Sequence, residues 1–99
     1  MNGALRTSTR EKEEILVDEL IDQGHPFSVI VWNDEVNTFD WVIKTLVEVC
    51  GHSEQQAEQC AYIIHFKGKY AVKQGGFDEL KPICDAIKDR GIGATVEAN

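Results

Sequence analysis

The chain reads as a small two-layer α/β domain of the α+β type, with a three-stranded sheet on one side, three helices on the other and the order β-α-α-β-α-β. Residues of alternating polarity run through 27–32, 69–73 and 92–97, and apolar residues at helical spacing fill the stretches between them. At 99 residues there is material for one hydrophobic core and not for two.

Residues 1–25 hold a Thr and Ser stretch, the charged run 11–14 and a short apolar cluster of Ile15, Leu16, Val17, Leu20 and Ile21. Leu16 with Leu20, and Val17 with Ile21, have helical spacing, but so short a helix is marginal alone in water. The segment is read as a flexible arm able to order on a partner, with a helix packed on the domain as the alternative. Gly24 and Pro26 mark the entry to the folded domain, residues 26–99.

The first strand alternates Phe27, Val29 and Val31 on one face with Ser28, Ile30 and Trp32 on the other. Thr38 stands where an N-cap belongs, and Phe39, Val42, Ile43, Leu46, Val49 and Cys50 then repeat at helical spacing up to Gly51. Ser53 with Gln56 three residues on makes a capping box for the second helix, whose stripe is Ala57, Cys60, Ala61 and Ile64. His65, four residues after Ala61, falls on the same face. Gly68 ends that helix, and Tyr70 and Val72 alternate with Lys69, Ala71 and Lys73 as a second strand. Leu80, Ile83, Cys84 and Ile87 give a third helix, closed by Lys88, Arg90 and Gly91. Pro82 lacks a backbone N–H and disfavours helical geometry at Lys81, so the start is expected to be late or bent. Ile92, Ala94 and Val96 alternate with Gly93, Thr95 and Glu97 as the closing strand.

Ten basic residues against 17 acidic ones leave a net charge of −7, which argues against nucleic acid and favours cationic ligands. No apolar run reaches the roughly 20 residues of a membrane span and no signal core opens the chain, so no membrane partner and a cytoplasmic location are expected. Cys50, Cys60 and Cys84 are odd in number and unpaired in spacing, as befits reduced thiols without a disulfide.

No catalytic arrangement survives inspection of the spacings. Cys60 and His65, five apart on one helix, stand about 140° apart around its axis and cannot meet. Cys50, His52, Cys60, His65 and Cys84 match no common zinc spacing, so neither a metal nor another cofactor is expected. Gly75 and Gly76 lack the flanking glycines and the Lys of a phosphate loop. What remains is the turn after the first strand, where Asn33, Asp34, Glu35 and Asn37 concentrate acceptors between two regular elements. Short polar side chains suit any turn, so a solvated loop is one reading and a dock for a cation is the other.

Val29, Ile30, Val31, Trp32, Asn33, Asp34 and Glu35, with Phe39 and Val42 following, and then His65, Phe66, Lys67, Gly68 and Lys69 further on, resemble the ClpS family of protease adaptors. The resemblance runs in order from about Phe27 to Val96 and includes the Ala94, Thr95, Val96 strand. It implies a non-enzymatic adaptor that binds N-degron peptides and proteins with a free N-terminus and Leu, Phe, Tyr or Trp first. It further implies delivery of these to a ClpA-type unfoldase with its ClpP peptidase. Carried over position by position, Asn33, Asp34 and His65 would hold the α-ammonium, with Glu35 bordering them. Val31, Asn37, Phe39, Val42, Ala61, Ile64 and Ile92 would line the side-chain pocket. Many members carry Thr then Pro at Asn37 and Thr38, and Met at Phe39 and Ala61. Neither Asp34 nor His65 lies in the apolar stripes, so replacing either is expected to leave the fold intact. The alternative is an interaction domain of the same fold without N-terminus recognition, comparable to the C-terminal domain of the ribosomal stalk protein.

Overall fold

The computed structural model describes residues 24–99, so the arm inferred from residues 1–25 lies almost wholly outside the described residues. The order is β1 (Phe27–Trp32), α1 (Phe39–Cys50), α2 (Glu54–Lys67), β2 (Lys69–Gly75), α3 (Phe77–Asp89) and β3 (Ala94–Ala98), the succession expected from periodicity. β1 is the central strand of an antiparallel sheet ordered β2-β1-β3. Its inward face carries Val29 and Val31, which meet Leu46 of α1, Ala57 and Ile64 of α2 and Leu80 and Ile87 of α3 in one buried cluster. Burying each such side chain is worth about 1.5–3 kcal/mol, so the three helices are held on one face of the sheet by what β1 offers them.

Local signals fix the helix ends. Thr38 Oγ1 accepts the Trp41 N–H at 3.1 Å to open α1, and Ser53 and Gln56 form both bonds of the capping box that opens α2. Gly68 closes α2 at φ +94°, a left-handed conformation that a side chain would resist, and its N–H returns to the Ile64 carbonyl at 2.9 Å.

Three expectations change in detail. α3 does not start late: it runs from Phe77 with Pro82 inside it. Pro82 and Asp78 are both exposed, so the Asp78 carbonyl that loses its partner four residues on can turn to solvent while Leu80, Cys84 and Ile87 stay buried. β2 runs on to Gly75, two residues beyond the alternation that announced it, because the register slips between Val29 and Ile30 and leaves Val72 as an extra residue. The Val72 carbonyl is taken by His52 Nε2 at 2.8 Å, which must be the protonated nitrogen because a carbonyl only accepts. β3 begins at Ala94, so buried Ile92 belongs to the turn before it.

Candidate functional site

β1 hands its last hydrogen bonds to both neighbours. Trp32 N–H reaches the Gly93 carbonyl at 3.0 Å and Asn33 N–H reaches the Gly68 carbonyl at 2.9 Å. The polar turn therefore springs from the middle of the sheet, between the end of α2 and the α3–β3 turn. Two contacts join α1 to the end of α3 beside it: Trp41 Nε1 donates to the Arg90 carbonyl at 3.0 Å, and Arg90 pairs with Glu48 of α1 at 2.8 Å.

Within the turn, Asp34 Oδ1 accepts the backbone N–H groups of Val36 and Asn37, each at 2.8 Å. Its Oδ2 accepts Asn37 Nδ2 at 2.7 Å, and the same amide nitrogen donates to the Gly91 carbonyl at 2.9 Å. Both partners of that nitrogen are acceptors, which settles the amide orientation and leaves the Asn37 oxygen for other company. These bonds, the Asn37 N–H first among them, hold the Asp34 carboxyl below its usual range. A carboxylate has about four acceptor positions; three are used here, and one on Oδ2 is left.

Above the turn lies a cleft of about 460 Å³ lined by Asn33, Asp34, Glu35, Asn37, Phe39, Val42, Ala61, Ile64 and His65. A smaller cavity of about 20 Å³ adjoins it through Asn33, Asp34, Asn37, Val42 and Ile64, and adds Val31 and Ile92 at its walls. Every residue that the resemblance assigned to the site thus lines one of these two spaces, which share five lining residues. Ala61 and Ile64 supply a buried apolar wall, Phe39 stands at the rim, and the acceptors of Asn33, Asp34, Glu35 and His65 share the opening. His65 is exposed and touches Phe39 and Phe66 edge-on, at 6.2 Å and 5.0 Å between ring centroids. Chemically this is a half-apolar, half-anionic cleft.

Residues 22–95 match the family model described as "ATP-dependent Clp protease adaptor protein ClpS". The chain belongs to the ClpS family. Its members are adaptors of the Clp protease. Among curated relatives, the ClpS adapter protein of Corynebacterium aurimucosum is 29% identical over 85 residues, covering 86% of this chain and 77% of its own. That of Rhodococcus opacus is 27% identical over 97 residues, covering 98% and 85%. Agrobacterium tumefaciens ClpS2, solved bound to L-phenylalaninamide, shares the fold with a TM-score of 0.66 at 22% identity, over 78% of this chain and 100% of that one.

Membership in ClpS sits well with the thiols. Cys50, Cys60 and Cys84 are free and buried, and burial pushes the Cys50 thiol up to about 11 and those of Cys60 and Cys84 upward as well. They pack as small apolar groups rather than nucleophiles. No helix among the described residues is long and apolar enough to cross a membrane. Sequence reasoning did not reach the bond from Asn37 to Gly91, since 54 residues separate the partners and no local pattern links them. It also gave no role to Tyr62 and Phe66, exposed aromatics whose rings contact those of Phe39 and His65.

Proposed function

We propose that this ClpS chain binds the free N-terminus of proteins whose first residue is Leu, Phe, Tyr or Trp and delivers them to a ClpA-type AAA+ unfoldase for degradation by ClpP. The observation that carries this reading is the convergence of Asn33, Asp34, Glu35 and His65 on the rim of a cleft whose wall is Ala61, Ile64 and Val42. An α-amino group has a reference pKa near 7.7–8.0, so at neutral pH it is mostly an ammonium with three donors in need of acceptors. The rim offers them, and the wall offers an apolar side chain relief from water. A volume of about 460 Å³ falls within the roughly 300–1,000 Å³ typical of small-ligand sites. The ligand of the Agrobacterium protein has the same two halves, a free amine and an aromatic side chain.

The chain acts stoichiometrically in this reading, holding its ligand without bond cleavage. Binding energy comes from burial of the first side chain, worth roughly 1.5–3 kcal/mol or one to two decades in affinity. The test is titration with peptides that differ only in their first residue. Phe, Leu, Tyr and Trp peptides are expected to bind at least about tenfold tighter than Ala or Asp peptides. Equal affinity across the series would overturn the reading, as would peptide cleavage with turnover by the purified chain alone.

A further inference from the structure

Four rings close a circuit at the outer end of α2. Phe39 meets Tyr62 edge-on at 5.2 Å between centroids, Tyr62 stacks on Phe66 at 5.7 Å with 8° between planes, Phe66 meets His65 at 5.0 Å, and His65 returns to Phe39 at 6.2 Å. Two of the four, Phe39 and His65, line the cleft. The other two stand outside it, with Tyr62 52% and Phe66 73% exposed. Neither contributes to the buried core. Two stacked aromatics left in water are a poor use of apolar surface unless something covers them. Here they are also held in place by the two rings of the cleft, so a ligand would meet them already ordered and lose little side-chain freedom by doing so.

We propose that Tyr62 and Phe66 form a second subsite, continuous with the cleft, that receives the side chain of the third residue of the bound peptide and favours an aromatic one. This rests on the cleft being an N-terminus site. Phe39 and His65 line the cleft and also touch Tyr62 and Phe66, so a peptide leaving the cleft across these two rings runs onto the pair. In an extended peptide successive side chains point to opposite faces, so residue three is the next to return to the face of residue one, roughly 6.6–6.8 Å along. Tyr62 and Phe66 stand one ring contact beyond Phe39 and His65, at 5.2 Å and 5.0 Å between centroids, and the alternation of an extended peptide, not this spacing, assigns them to residue three. Ring edges and faces favour a further ring in edge-on or offset contact, whereas a carboxylate would meet negative ring faces in a chain of net charge −7.

The test uses the full chain and three peptides with a common tail, beginning Phe-Ala-Ala, Phe-Ala-Trp and Phe-Trp-Ala, each free and acetylated. They are titrated against wild type, Phe66→Ala and Tyr62→Ala, with circular dichroism to confirm folding. Phe-Ala-Trp is expected to bind about three- to tenfold tighter than Phe-Ala-Ala, the size of an aromatic pair contact, and both variants to erase the difference. Equal affinity of the two peptides, a gain that persists in both variants, or a gain confined to Phe-Trp-Ala would overturn the subsite. Should acetylation abolish binding while residue three is ignored, the cleft reading stands and the subsite alone falls. Should acetylation have no effect, both fall.

Discussion

Asp34 spends most of its acceptor capacity inside its own turn, on the N–H groups of Val36 and Asn37 and the Asn37 amide. Its replacement therefore has a structural consequence that the apolar stripes alone did not suggest. Asp34→Ala is expected to lower stability by about 1 kcal/mol in urea unfolding, the net value of a typical hydrogen bond lost without compensation. Asp34→Asn keeps a carbonyl oxygen for the backbone N–H groups and is expected to lose less. The carboxyl titrates below its ordinary value in the folded chain, so the stabilisation it provides is fully present above the unfolded value, near pH 4, and is lost as pH falls through the depressed one. Stability measured from neutral to acid pH should show that limb flattened in Asp34→Asn. Ala61 belongs to the same scale. It is only 2% exposed and lines the cleft, so Ala61→Met adds volume where the first side chain would lie. Titration of that variant is expected to show Trp and Phe peptides losing about tenfold relative to Leu peptides. The rim residues were picked out by the resemblance to the ClpS family, since Asn, Asp and His in such positions fit a solvated turn and a core-edge histidine equally well. The division of labour between Asp34 and its neighbours was not legible in the sequence, because it is set by which lone pairs the turn itself consumes.

At the scale of elements, Gly68 couples two of them to the site. It ends α2 in a left-handed conformation at φ +94°, and its carbonyl accepts the Asn33 N–H. Gly68→Ala is expected to cost about 1–2 kcal/mol in denaturant unfolding, from the side chain's resistance to that conformation. It should also weaken Phe-peptide binding beyond what the loss of fold accounts for, since Asn33 loses its anchor. Caps and glycines of this kind were readable because they act within one turn of the chain: Thr38, Ser53 and Gln56 open their helices as their spacing implies. Where no local signal exists the reading stopped short. The N-cap of α3 is Gly76, which makes no side-chain cap bond, so the turn before Leu80 went unseen. The bulge at Val72 is decided by pairing with β1, and alternation along β2 alone does not reveal it.

For the molecule as a whole, the described domain begins early enough that His25 and Pro26 accept hydrogen bonds from Asn99, at 2.8 Å each. A chain lacking residues 1–23 keeps those bonds. It is expected to bind Phe peptides as the full chain does but to fail in delivery, measured as degradation of a Phe-initiated substrate by a ClpA-type unfoldase with ClpP. The order of elements was legible because each carries its own period, whereas the site needed tertiary structure to bring the turn, α1 and α2 around one cleft. The central claim is that the cleft recognises a charged amine together with an apolar side chain. Acetylation removes the charge and most of the donors while leaving the side chain untouched, stranding acceptors that desolvation makes costly. The decisive measurement is a titration at neutral pH with a Phe-initiated peptide, free and acetylated. The free peptide is predicted to bind at least about tenfold tighter, a difference of 1.4 kcal/mol or more, and equal affinities would contradict the account.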